Sequence, residues 1–118
     1  MDTITYLAPN GAALLLGLLG IAALCFPKTM AGFVGLAPIE PLGMSEIRST
    51  LGSFFLGLCV ACLWLQSPDA FTVLGVASLT AAVVRFLSSW FDRSISIKNW
   101  GGVAVEALLG VLFLLNQN

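Results

Sequence analysis

The sequence has no histidine, and charge of either sign is scarce, with five Lys and Arg against six Asp and Glu in 118 residues. The missing histidine removes the commonest metal ligand and general base. With no run of basic residues, the chain offers no electrostatic footprint for nucleic acid. A small soluble domain needs a charged surface, and one that is 58% hydrophobic and 9% charged cannot supply it. Glycines are scattered through apolar stretches, not gathered into a phosphate-cradling loop. Ser and Thr are plentiful but have no base to activate them. The expectation is a chain without catalysis, cofactor or metal.

What is present is apolar length. About 20 residues at a 1.5 Å rise cross a hydrocarbon core of roughly 30 Å. Four stretches meet that requirement and predict helices at about residues 6–26, 46–66, 70–91 and 99–115. The expected fold is all-α, a four-helix transmembrane bundle forming a single integral membrane domain over residues 1–118. The first run opens on the acidic Met1-Asp2 and lacks a small-residue cleavage pattern, so it reads as a retained helix. Pro9 and Asn10 fall in its expected first turns.

Between the first two runs, Lys28–Leu36 is apolar but too short to cross. It predicts a brief interfacial segment, with Met30, Phe33 and Val34 at the headgroup boundary. Pro38 and Pro41 are expected to break helical structure after it. Ser45 then suits an N-cap, with Glu46 in the first turn of the second helix. Ser67-Pro68-Asp69 predicts a tight turn, making the second and third helices antiparallel neighbours.

Lys28, Arg48, Arg85, Arg93 and Lys98 all sit on, or nearer to, the side of the first and third connections. The positive-inside rule makes that side cytoplasmic. The expected placement is the bacterial inner membrane, multi-pass, with both termini out. Trp64, Trp90 and Trp100 stand near the ends of spans as interfacial anchors.

Two charges interrupt the apolar runs, Arg85 in the third and Glu106 in the fourth. An ionisable residue inside a span costs a few kcal/mol on insertion scales and faces a bundle interior or a partner. Small residues four apart mark a packing face. Arg85 lies on such a stripe with Ala77, Ala81 and Ser89, and Glu106 lies between Gly102 and Gly110. Both charges fall roughly 8–12 Å below the same boundary. They are expected to pair across adjacent antiparallel helices, joined by Glu46 and Arg48 in one charged cluster. That cluster serves either helix registry or contact with a ligand, ion or lipid headgroup. A third stripe, Ser49, Ser53, Gly57 and Ala61, predicts close helix packing, within the chain or between chains.

Cys59 and Cys62 have the two-cysteine redox spacing. They lie well inside an apolar helix, far from any residue that would activate a thiol. They are read as small packing residues. Cys25 is too distant to complete a metal site with them.

Several features together resemble a family of small bacterial four-helix membrane proteins, catalogued as a domain of unknown function. These are Phe26-Pro27, Gly35-Leu36 with Pro38, Glu46-Ile47-Arg48, Gly52, Phe55 and Gly57, then Arg85, Asp92 and Glu106. The resemblance covers most of the chain. It implies that the charged positions belong to a family pattern, and it implies no activity. The two cysteines stand outside that pattern.

The residues therefore predict a non-enzymatic inner-membrane protein whose partners are membrane lipid and other membrane helices. It would act as an accessory or assembly subunit, or as a homo-oligomeric scaffold. The alternatives are a small dimeric transporter or channel, or a protein binding lipid or quinone through Arg48 and Arg85. A guanidinium held beside a carboxylate favours the charged form of both. Pairing of Arg85 with Glu106 thus argues against proton coupling.

Overall fold

A computed structural model describes residues 3–116. The acidic start at Asp2 and the tail residues Gln117 and Asn118 lie outside the described residues. Five helices follow one another: α1 (Thr3–Cys25), α2 (Pro27–Phe33), α3 (Pro41–Leu65), α4 (Pro68–Phe91) and α5 (Ile97–Leu114). Among the described residues there is no strand, and the fold is all-α. α1, α3, α4 and α5 are long and apolar enough to cross a membrane, which makes this a multi-pass membrane protein. α2 has seven residues and cannot cross.

The spanning helices begin earlier than the apolar runs suggest, and proline or serine marks the start of those after α1. α1 begins at Thr3, so Pro9 is inside the helix and not in its first turn. α3 begins at Pro41, with Glu40 extended before it (φ −147°, ψ 174°). Proline's fixed φ is preorganised for the first helical position, where its missing N–H costs nothing. Pro41 therefore starts a helix instead of breaking one. Ser45 is not an N-cap, and Glu46 lies beyond the first turn. Pro68 and Ser67 repeat the device in α4, where the Ser67 hydroxyl accepts from Ala70 N. In α5 the Ser96 hydroxyl accepts from Asn99 N at 3.1 Å.

The chain divides into two compact units. One is Ala13–Trp64, in which α1 meets α3. A Cβ built on Gly20 would lie 2.7 Å from the Gly52 carbonyl oxygen, and one on Gly52 would lie 3.3 Å from the Gly20 carbonyl oxygen. The two backbones touch at this point, a contact only small residues permit. One turn away on α1, a Cβ on Gly17 would collide with the Cys59 side chain.

Residues Ile47–Phe54 of α3 form a π-helix. Ile47 and Gly52 are both buried although five residues apart. An α-turn would put that interval on opposite flanks, whereas i→i+5 bonding brings the two residues close to one face. The wide turn thus resets which side of α3 meets α1. Beyond it, Cys59 and Cys62 continue the covered face.

The other unit joins α4 and α5, with the residues up to Ala12 and the segment from Leu65. Its crossing point is a second glycine pair. A Cβ on Gly75 would lie 3.2 Å from the Gly110 carbonyl oxygen, and one on Gly110 would lie 3.1 Å from that of Gly75. To one side, Phe71 stacks on Phe113 with ring centroids 6.3 Å apart. The buried positions Phe71, Gly75, Ala82 and Ser89 on α4, and Leu109, Gly110 and Phe113 on α5, trace the seam. The seam keeps an average near 3.5 residues, the period that holds one face toward a neighbour. A strict four-residue stripe drifts away from it. For that reason Ala77 and Ala81 are exposed while Ser89 on the same stripe is buried.

Candidate functional site

Arg85 and Glu106 meet across α4 and α5. Arg85 Nε donates to Glu106 Oε1 at 2.9 Å, and Arg85 Nη2 donates to Glu106 Oε2 at 3.1 Å. Two parallel bonds form the bidentate fork that a planar guanidinium makes with a carboxylate. The side chains keep 28% and 24% of their exposure, so the pair is half-buried.

Gly102 makes the approach possible. A Cβ there would stand 3.0 Å from Arg85 Cδ and Nε and 3.1 Å from its Cζ. The guanidinium lies against the bare backbone of α5, and any side chain at 102 would occupy its space. Gly102 is thus a seat for Arg85, whereas Gly110 is a helix crossing.

Asn99 is a third member that charge patterning did not reveal. Its Oδ1 accepts from Arg85 Nη1 at 3.2 Å, and its Nδ2 donates to the Ser94 carbonyl oxygen at 3.1 Å. Ser94 N in turn donates to the Ser89 carbonyl oxygen at 3.0 Å, and the Ser88 hydroxyl donates to the carbonyl oxygen of Arg85 at 3.1 Å. The ion pair is therefore tied through amide and hydroxyl groups to the loop between α4 and α5. That loop turns at Arg93, whose φ is +53°. The signal for Asn99 lay in its place, one helical turn short of Gly102 and so beside the same guanidinium.

Glu46 and Arg48 belong to the other unit and are exposed. The four-residue cluster expected from the sequence is, within the α4–α5 unit, the pair Arg85–Glu106 with Asn99. α3 starts at Pro41 and carries a π-helix across Arg48, so neither Glu46 nor Arg48 lies in its first turn, where a start at Ser45 would place them.

Ser49, Ser53, Gly57 and Ala61 are likewise exposed, and among the described residues nothing lies within 4 Å of a Cβ built on Gly57. The face of α3 that α1 covers is the one bearing Gly52, Cys59 and Cys62. Cys59 and Cys62 are buried and unbonded, and Cys25 is exposed. Among the described residues, no group of three His, Cys, Asp or Glu side chains is placed to hold a metal.

A second polar region was not anticipated. Asn10 and Gln66 exchange amide hydrogen bonds: Asn10 Nδ2 donates to Gln66 Oε1 at 3.1 Å, and Gln66 Nε2 donates to Asn10 Oδ1 at 2.6 Å. Gln66 holds φ at +48°, a left-handed conformation at the end of α3 that glycine usually fills. Both residues line a cavity of about 200 Å³ with Asn116. Asn116 Nδ2 donates to the Phe113 carbonyl oxygen at 2.9 Å and to Thr72 Oγ1 at 3.2 Å. Its Oδ1 is buried without a partner among the described residues. Three amides, one inside an apolar helix and two just past helix ends, were the available signal, since polar residues there can link helices.

Compared with family models, with curated proteins and with solved structures, the chain matches none.

Proposed function

We propose that this protein is a non-catalytic bacterial inner-membrane protein that packs against other membrane helices, as an accessory or assembly subunit or as a homo-oligomeric scaffold. The observation that carries this reading is the uncovered face of α3. Ser49, Ser53, Gly57 and Ala61 form an exposed small-residue surface, and among the described residues nothing fills it at Gly57. In lipid such a surface gains most from close contact with another helix, because small residues let backbones approach. The resemblance to small four-helix membrane proteins supports the same reading, and the basic residues favour both termini out. Arg85 supports it as well: forked on Glu106, it serves helix registry in preference to proton coupling.

The test uses Gly57. In the isolated chain Gly57→Leu meets open space and should leave thermal stability in detergent within about 0.5 kcal/mol of the parent. Chemical cross-linking in membranes and native mass should then show the parent in an assembly, with itself or with other subunits, that the variant has lost. A parent chain that is monomeric and unaccompanied in native membranes overturns the proposal.

A further inference from the structure

We infer that the groove between Lys28 and Arg48 is a binding site for a phosphate-bearing anion, with the headgroup of an anionic phospholipid as the form its location favours. The groove has a volume of about 610 Å³ and lies wholly within the Ala13–Trp64 unit. Lys28 from α2 and Arg48 from α3 line it, together with Ser45 and Glu40. Among the described residues neither Lys28 nor Arg48 has a salt-bridge partner, in contrast to Arg85. The carboxylate of Glu40 lines the same groove but is not in salt-bridge reach of either cation. Two cations and one carboxylate leave a single positive charge. A phosphodiester monoanion balances it.

Location selects the source. α1 ends at Cys25 and α3 begins at Pro41, so the groove is built where two spanning helices reach the headgroup layer. Arg48 lies seven residues into α3, roughly 10 Å along the helix from its start. An arginine there can extend toward headgroups while its stem stays in apolar surroundings. The segment around the groove exposes Phe33, Ile39 and Leu42, side chains that suit the boundary between headgroups and acyl chains. Ile39 and Met44 also line the groove, giving it an apolar flank beside its basic one. The loop is drawn close to α3, since a Cβ on Gly43 would stand 3.2 Å from Pro38 Cα. Arginine and lysine supply complementary donors to phosphate, one a planar fork and the other a point charge. This site does not depend on whether the Ser49–Ala61 face has a protein partner.

The experiment titrates the delipidated full chain in neutral detergent with phosphatidylglycerol, with phosphatidylcholine and with inorganic phosphate, reading thermal stability. Phosphatidylglycerol should raise Tm saturably, and phosphatidylcholine should not. A double Lys28→Gln, Arg48→Gln variant should respond at least about tenfold more weakly, from the worth of a basic residue near an anionic surface. Arg93→Gln, on the other connection, should respond as the parent does. Glu40→Gln removes the opposing charge and should bind several-fold more tightly. Inorganic phosphate that saturates the same shift and blocks the lipid's effect supports the phosphate chemistry with a free anion as its source. Equal responses to the two lipids, a double variant that responds like the parent, or an Arg93→Gln as impaired as the double variant would each overturn the proposal.

Discussion

Arg85 and Arg48 are the same residue type in spans of similar length, yet the two units treat them differently. Arg85 is forked on Glu106, steadied by Asn99 and laid on the bare backbone at Gly102. Arg48 is exposed, faces a groove with Lys28 and has no salt-bridge partner among the described residues. The crossings are alike: Gly75 against Gly110 in one unit, Gly20 against Gly52 in the other. In both units two apolar helices are joined by backbone contact at a glycine pair. Charge then takes different places, an internal ion pair in one unit and the lining of an open groove in the other.

Arg85→Ala or Glu106→Ala strands one charge, and removing one partner of a buried pair costs about 3–5 kcal/mol. The pair is only half-buried, so a loss of about 2–3 kcal/mol is expected for each single variant, read as thermal unfolding in detergent. A double Arg85→Leu, Glu106→Leu variant should recover most of that loss. Intact singles with no recovery in the double would remove the registry reading.

Gly20→Ala comes next. Its Cβ meets the Gly52 carbonyl oxygen at 2.7 Å and Leu56 N at 2.8 Å, backbone atoms that cannot swing aside. The expected destabilisation is about 1–3 kcal/mol, the usual range for overpacking. Gly102→Ala is milder, because its Cβ meets a flexible side chain at 3.0 Å. It should cost about 1 kcal/mol in the parent and much less in the double Leu variant, where no guanidinium needs the seat. Equal costs in both backgrounds would show that Gly102 does not act through Arg85. The smallest effect is expected for Arg48→Ala in lipid-free detergent, within about 0.5 kcal/mol, as for an exposed side chain without a partner. A loss as large as that of Arg85→Ala would erase the contrast between the two units.

The pairing of Arg85 with Glu106 was legible in the sequence. Two opposite charges stood in successive apolar runs at matching depth, and a span leaves such groups few alternatives. Gly102 was legible as a small residue one turn away, though its role as a seat was not. The start of the second spanning helix was misplaced, because Pro41 begins it four residues before Ser45. Ala77 and Ala81, on the stripe through Arg85, are exposed, and Ser49, Ser53, Gly57 and Ala61 are exposed as well, while Gly110 stands at a crossing. Four-residue spacing drifts around a helix, while the covered seam alternates steps of three and four and, in α3, passes through a π-helix. Asn10, Gln66 and Asn116 escaped notice because each is a single amide, and residues 56 apart in sequence, such as Asn10 and Gln66, carry no local sign that they meet.

Residue order alone dictates a helical chain with four stretches able to cross a membrane, because apolar length and backbone hydrogen bonding leave no other economical arrangement in lipid. It also determined that Arg85 and Glu106 needed partners. Which faces are covered follows from packing in three dimensions. In a chain apolar on nearly every side, a helix's hydrophobicity does not distinguish its neighbours from lipid. That choice fell to the places where glycine lets two backbones touch, and it left Ser49–Ala61 and the Lys28–Arg48 groove open.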